Sequence, residues 1–286
     1  LEQEVYHDQK FRDMLCDAVE SIPVGSAWRL ESRMGPLIRP PSGELERGLK
    51  ELEPGEEWAV RPRLHLEDNP HLVGPGVKWG VQPGSFTHCT ELFGPVLGFM
   101  KARDLHEAID LFNATGYGLT SGLESLDDRE HQAWQEGIRA GNLYINRPTT
   151  GAIVLRQPFG GMGKSAVGPG VKAGGPNYVA MLMDFPASTA AEPPPTDASE
   201  VPAWPSLATL CEQLAVPGLA AAAASYETWA EEEFLSTHDS FRLIGEDNIR
   251  RYLPLRSIRL RVDPADPPLE ICARAVAHRV AGWLRN

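Results

Sequence analysis

Residues 141–178 read GNLYINRPTTGAIVLRQPFGGMGKSAVGPGVKAGGPNY. A short apolar run, 143–145, enters a long glycine-rich loop, and chains keep such loops where backbone comes close to a ligand or turns with φ > 0. Within the loop, GMGKS ends like a phosphate-binding P-loop. The pattern G-x-x-x-x-G-K-[ST] requires glycine at 158, however, and Pro158 has neither the N–H nor the conformational freedom of that cradle. The residues read instead as a nest for a smaller anion, with backbone N–H groups around 163–166 and the Ser165 hydroxyl facing a carboxylate. A purely structural turn is the alternative.

Working outward, the stretch upstream alternates strands with helices. Residues 96–100 in TELFGPVLGFMKA read as a buried strand, and Asp104 with Glu107 as a capping box for a helix that turns Leu105, Ala108, Ile109 and Phe112 inward. Residues 119–125 read as a strand, Asp127 and Glu130 as the start of a helix to Arg139, Gly141 as its stop, and 143–145 as the next strand. This alternation predicts an α/β fold with a mainly parallel sheet covered by helices. Nearer the N-terminus, Phe11, Met14, Leu15, Ala18, Val19 and Ile22 recur at helical spacing and predict an amphipathic helix over 8–22, with Cys16 as core filling. A helix over 44–52 follows, with Ser42 as its N-cap. Prolines and glycines break 58–84 into strand and loop.

Downstream, YVAMLMDF (178–185) reads as a further strand that closes the first module. Residues 186–206, with PASTAAEPPP, have the composition of a linker. Beyond it, 207–286 reads as a small α/β module: helices over 207–214 and 219–235, a strand over 257–262 and a helix over 269–284. A parallel partner strand would normally follow such a unit, so the tail is expected to be incomplete.

Composition narrows the function. The net charge of −12, with no local cluster of lysine and arginine, excludes nucleic-acid and anionic-membrane partners. No apolar run is long enough to cross a membrane, and LEQEVYHDQK at the start is polar. Cys16, Cys89, Cys211 and Cys272 lie far apart without CxxC or zinc-ligand spacing, so neither a disulfide framework nor a metal site is expected, and a cytoplasmic location is. Leu1 is expected to be an internal position of a longer polypeptide.

The motifs GNLYINR, TGAIV, QPFGG and KAGGPNY, preceded by ELFGPVLG, resemble the C-terminal half of the catalytic domain of aldehyde dehydrogenases. The KAGGPNY ending and its long loop are most similar to L-glutamate γ-semialdehyde (Δ1-pyrroline-5-carboxylate) dehydrogenases, as at the C-terminal end of bacterial bifunctional proline utilization proteins. The resemblance covers about 5–185, and HDSFRLIGEDNIRRYLPL extends it into the tail. It implies that Glu91 accepts hydrogen bonds from the nicotinamide ribose of NAD, a role suited to a two-oxygen acceptor, and that Phe93 packs beside the nicotinamide. Phe159 would line the aldehyde tunnel, and Ser165 with the amides of Lys164 and Ala166 would anchor the substrate carboxylate. Asn142 and Asn146 are expected to orient backbone.

The family mechanism implied is thiolate attack on the aldehyde, hydride transfer to NAD, and hydrolysis of the thioester. The nucleophilic cysteine, its oxyanion-hole asparagine and the glycine-rich NAD domain lie N-terminal to the matched region in that family, so the chain is expected to hold no catalytic residue. Cys89 is not in the nucleophile's motif. A homodimer through the 178–185 strand is the expected assembly. The alternatives are a dehydrogenase for another semialdehyde and a non-catalytic interaction module.

Overall fold

Prolines 62 and 75 set the limits of the first sheet, because proline has no N–H for a ladder. Strand β1 (Glu57–Val60) ends before the one, and β2 (Gly76–Trp79) begins after the other. β1 pairs antiparallel with β2, and β2 pairs parallel with β3 (Val96–Phe99). The computed structural model describes residues 1–154, 156–167, 171–184, 214–254 and 258–283. They pack as two units, Leu1–Gly151 with Phe159–Ala173, and Ala152–Pro158 with Gly174–Asn286.

In the first unit, helices α1 (Gln3–His7), α2 (Gln9–Glu20), α3 (Gly43–Lys50) and α4 (Phe86–Cys89) accompany the three-stranded sheet. Trp79 stacks on Phe99 at 4.9 Å and meets Tyr6 at 4.8 Å. A second layer follows in chain order: α5 (Leu105–Ala114), β4 (Thr120–Leu123), α6 (Asp128–Gly137) and β5 (Asn142–Ile145), with β4 and β5 parallel. Ile109, Trp134 and Ile138 form its core, and Leu123, Leu143 and Ile145 pack against them. Among the described residues two of the three strand pairings are parallel, as the strand–helix alternation predicts.

The middle strand carries a charge into the core. Lys78 on β2 is 1 % exposed, and its Nζ lies 3.1 Å from the buried Glu56 carboxylate. The ammonium also donates to Glu51 O at 2.8 Å and Thr87 Oγ1 at 3.1 Å, so its three hydrogens meet three oxygens. Burial pushes the Glu56 carboxyl pKa up, but the Glu53 N–H, the Thr87 hydroxyl and the Lys78 ammonium together hold it below its ordinary value. One buried pair therefore ties the 51–56 turn, β2 and α4 together.

In the second unit, Leu219, Ala223 and Ala230 from α7 (Leu219–Trp229) and the π-helical turn Ala230–Phe234 pack with Val280 of α8 (Pro268–Trp283). Glu233 is a hub there: it accepts from Arg250 Nη1 and Tyr252 OH, each at 2.6 Å.

Several expectations are corrected. The helix expected over 8–22 forms as α2, with Asp8 as its N-cap through Lys10 N at 2.8 Å, and ends two residues early at Glu20. Its apolar stripe is only half-buried, and Met14 is 63 % exposed. Ser42 stands at the α3 N-cap without a side-chain bond. Asp104 caps α5 through Glu107 N at 2.8 Å and Asp127 caps α6 through Arg129 N at 2.8 Å, but Glu130 takes the Ser125 hydroxyl instead of reaching back to the cap. β3 is not buried along its length, since Leu97 is exposed. Val179–Leu182 is a 3-10 helix and not a strand, because its apolar residues meet no strand edge and stay exposed. Residues 258–262 form no strand for the same reason, with Leu260 and Val262 exposed. Phe185, the 186–206 linker, the expected helix up to residue 213 and Ser257 lie outside the described residues.

Lys78→Met strands the Glu56 carboxylate in the core and should destabilise the chain by about 3–5 kcal/mol, read from the urea midpoint. The wild type, whose Glu56 pKa is lower folded than unfolded, should lose stability as pH falls below the ordinary 4.5. That acid loss should shrink in the variant; an unchanged midpoint and pH dependence would contradict the pairing.

Candidate functional site

The first group of predicted residues sits on the turn between α4 and β3. Leu92 packs onto α3 at Gly48, and Gly94 lies so close to Leu45 that a side chain at 94 would collide with it. With Leu92 turned inward, its neighbours turn out. Glu91 is exposed and, among the described residues, its carboxylate has no hydrogen-bond or ion-pair partner. Phe93 is 84 % exposed and holds φ of 52°. A bulky residue in the left-handed region is strained, and such strain collects at functional positions. The core gains nothing from this ring, so the turn presents it outward.

Cys89, just before this turn, is exposed, with Sγ 3.7 Å from His88 Nδ1. That nitrogen accepts from Gly84 N–H at 2.9 Å, while Nε2 donates to Leu111 O at 2.9 Å. His88 is thus fixed as a neutral tautomer whose lone pair is already engaged, and it is not free to take the thiol proton. Cys16 is half-buried, and burial pushes its thiol pKa up. Neither is an activated nucleophile.

The second group lies on the glycine-rich loop. The turn 162–166 is sewn onto 115–118, the approach to β4. Met162 N donates to Gly118 O at 2.8 Å and Lys164 N to Gly116 O at 2.9 Å, and Gly118 N donates back to Ser165 Oγ at 3.1 Å. Ser165 N and Ala166 N donate within the turn, to Met162 O and Gly163 O. The Lys164 ammonium reaches Thr115 O at 2.8 Å and lies 5.0 Å over the Tyr117 ring. The expected nest of free amides is therefore corrected: the amides of Lys164 and Ala166 already serve carbonyls, and a side chain at Gly163 would strike Gly116 O. The glycine there serves close backbone packing. What remains to donate to an anion is the Ser165 hydroxyl, the Gly163 N–H and the ammonium hydrogens of Lys164 that Thr115 O does not take.

Phe159 stands in a separate feature, a two-residue antiparallel bridge with Ala173. Phe159 N donates to Ala173 O at 3.0 Å and Ala173 N to Phe159 O at 2.9 Å, and the ring is 39 % exposed. Asn142, buried at the start of β5, accepts from Gly160 N at 3.1 Å, and Asn146 bonds the backbone of Ser125 through both ends of its amide. Both asparagines orient backbone. Lys164, Ser165 and Ala166 are thus brought together, Phe159 is held on the same loop, and Glu91 with Phe93 occupies a different element. Among the described residues no group of His, Cys, Asp or Glu could hold a metal ion.

Sequence reasoning missed Lys172. Its Nζ bonds Gly141 O and lies 3.1 Å from Gly160 O and 3.4 Å from Asn142 Oδ1, with no carboxylate among these partners. Burial lowers its pKa to about 8. In sequence it reads as a solvated lysine, and VKAGG carries no signal that sets it apart.

Two outcomes test this geometry. The Lys172 Cε resonance of a ¹³C-lysine-labelled chain should titrate near 8; titration near 10.5 would contradict its burial. Phe93→Gly should leave stability unchanged or raise it by up to about 1 kcal/mol, read by thermal unfolding. A loss of more than roughly 2 kcal/mol would show that the ring is packed, as in core truncations.

The aldehyde dehydrogenase family model matches residues 1–185. The chain is 50% identical over 106 residues to the bifunctional protein PutA of Rhizobium meliloti, covering 36% of this chain and 8% of that protein. It is 34% identical over 178 residues to a 1-pyrroline-5-carboxylate dehydrogenase of Geobacillus thermodenitrificans, covering 62% and 33%. Among solved structures, proline utilization A from Corynebacterium freiburgense superposes with a TM-score of 0.80 at 39% identity, over 96% of this chain and 27% of that one. A 1-pyrroline-5-carboxylate dehydrogenase from Thermus with bound NAD gives 0.55 at 30% identity, over 63% and 34%. The chain spans about a third or less of the length of these relatives. With the matched region holding both the ELFGP turn and the glycine-rich loop, the chain belongs to the aldehyde dehydrogenase family.

Proposed function

We propose that this chain supplies the cofactor-ribose contact and the substrate-recognition wall of an NAD-dependent dehydrogenase that oxidises L-glutamate γ-semialdehyde to glutamate in proline catabolism. The observation that carries the reading is the ELFGP turn, where an unpartnered Glu91 carboxylate stands beside the exposed, strained Phe93 ring. That pair fits a nicotinamide nucleoside: the carboxylate can accept from both hydroxyls of a vicinal diol, and the ring offers an apolar face to a flat heterocycle. NAD, when bound, supplies the hydride acceptor.

The chain's own residues then divide the work. Glu91 fixes the ribose, and Phe93 keeps water from the nicotinamide side. Phe159 walls the aldehyde and excludes water from it. The Ser165 hydroxyl donates to the substrate carboxylate, with Lys164 and Ala166 framing it; their own amides join only by releasing Gly116 O and Gly163 O. Cys89 lies outside the nucleophile's motif and burial raises the Cys16 thiol pKa, so on this reading the attacking thiolate belongs to the rest of the family domain. The names of the relatives, PutA and 1-pyrroline-5-carboxylate dehydrogenase, support the substrate. Exposed Val179, Met181, Leu182 and Met183 support a homodimer covering that segment, and the scattered thiols support a cytoplasmic setting.

The 286-residue chain alone should produce no NADH from glutamate semialdehyde. In the complete dehydrogenase, Ser165→Ala should raise KM roughly 10- to 100-fold, as loss of a hydrogen bond to a charged group implies, with a smaller change in kcat. Phe159→Ala should lower kcat/KM at least as much for the semialdehyde as for NAD. Equal kcat/KM for semialdehydes with and without the α-carboxylate would contradict the assignment of substrate.

A further inference from the structure

The loop's most constrained point is not in the turn that resembles an anion nest. It is where residue 160 meets residue 141. A side chain at Gly141 would collide with Gly160 O, and one at Gly160 would lie 3.1 Å from Lys172 Cα, so three stretches of backbone converge there. Backbone carbonyls packed this closely repel one another unless a donor lies between them. The Lys172 ammonium is that donor, bonded to Gly141 O, Gly160 O and Asn142 Oδ1. Asn142 closes the arrangement by accepting from Gly160 N at 3.1 Å.

Position matters as much as charge. Lys172 and Gly160 each lie next in sequence to one member of the Phe159–Ala173 bridge, which consists of a single pair of residues. A one-pair bridge has no ladder to hold its register. We propose that Lys172 is the positioning residue of this loop: by gathering two carbonyls and the Asn142 amide oxygen around one ammonium, it fixes the Phe159–Ala173 bridge and so the direction in which the Phe159 ring meets a substrate. The significance for substrate rests on the reading of Phe159 as a wall given above. Lysine suits the task because a compact ammonium with three rotatable hydrogens meets three oxygens around a point, which the planar fork of arginine does not. The half-buried, unneutralised ammonium costs solvation, which a lysine free to swing into solvent would avoid.

The test uses the 286-residue chain labelled with fluorophenylalanine, whose nine phenylalanines give nine ¹⁹F resonances. Phe159→Leu assigns the one of interest. In Lys172→Met the Phe159 resonance should move while the other eight hold, and exchange of the Phe159 and Ala173 amides should speed up roughly tenfold. Lys172→Arg should resemble Lys172→Met; full restoration by arginine would show that charge alone suffices and would overturn the convergence on a point. An unmoved Phe159 resonance in Lys172→Met overturns the proposal outright. If all nine resonances collapse, the fold has been lost, and Lys172→Gln decides by the same criterion: Phe159 moving alone supports positioning, and no movement refutes it. These spectra do not depend on the substrate. Shifts at Phe159 with unaltered Phe159→Ala kinetics would sink the wall and leave the positioning intact.

Discussion

The glycine-rich loop is held by backbone set directly against backbone, and that closeness constrains everything near it. Side chains are absent at Gly141 and Gly163 because carbonyls of Gly160 and Gly116 occupy their space. Amides and carbonyls brought together in this way must satisfy one another, since a buried unpaired group costs about 1–3 kcal/mol. The loop meets the requirement twice. The 162–166 turn exchanges bonds with 115–118, and Lys172 serves the oxygens that no amide reaches. A loop of this kind is glycine-rich for packing first, and presents Phe159 and the Ser165 hydroxyl as a consequence.

The other part of the site obeys a different constraint. ELFGP forms a turn in which one apolar residue, Leu92, points into α3 and its neighbours are forced out. The strain at Phe93 and the unpartnered Glu91 carboxylate contribute nothing to the fold of this chain, which is why they read as chemistry. The scaffold beneath them is anchored by the buried Lys78–Glu56 pair, which fixes the middle strand against the segment carrying α4.

Much of this was legible in sequence where the cause is local. Asp104 caps its helix because its carboxylate reaches Glu107 N three residues on, and the alternation of strand and helix follows from periodicity. The outward Glu91 and Phe93 were reached through the family motif. What the sequence could not show depends on distant partners. YVAMLMDF has the composition of a strand, yet Val179–Leu182 coils into a 3-10 helix, since a strand requires an edge to pair with. The amides of Lys164 and Ala166 look free in a linear reading and are taken in the fold by Gly116 and Gly163. Lys78 and Lys172 look like solvated lysines, and only the fold shows one facing Glu56 and the other facing carbonyls.

We propose that Glu91, Phe93, Phe159 and Ser165 are one part of an active site whose thiolate and nucleotide-binding segment lie elsewhere in the same polypeptide. The most direct test is the mass of the native protein that yields peptides of this chain, measured intact from cell extract. A mass well above 31.3 kDa, with additional peptides carrying a cysteine motif and a nucleotide-binding domain, is the predicted result. A native species of 31.3 kDa would contradict the account and leave Glu91, Phe93, Phe159 and Ser165 as binding residues without a reaction.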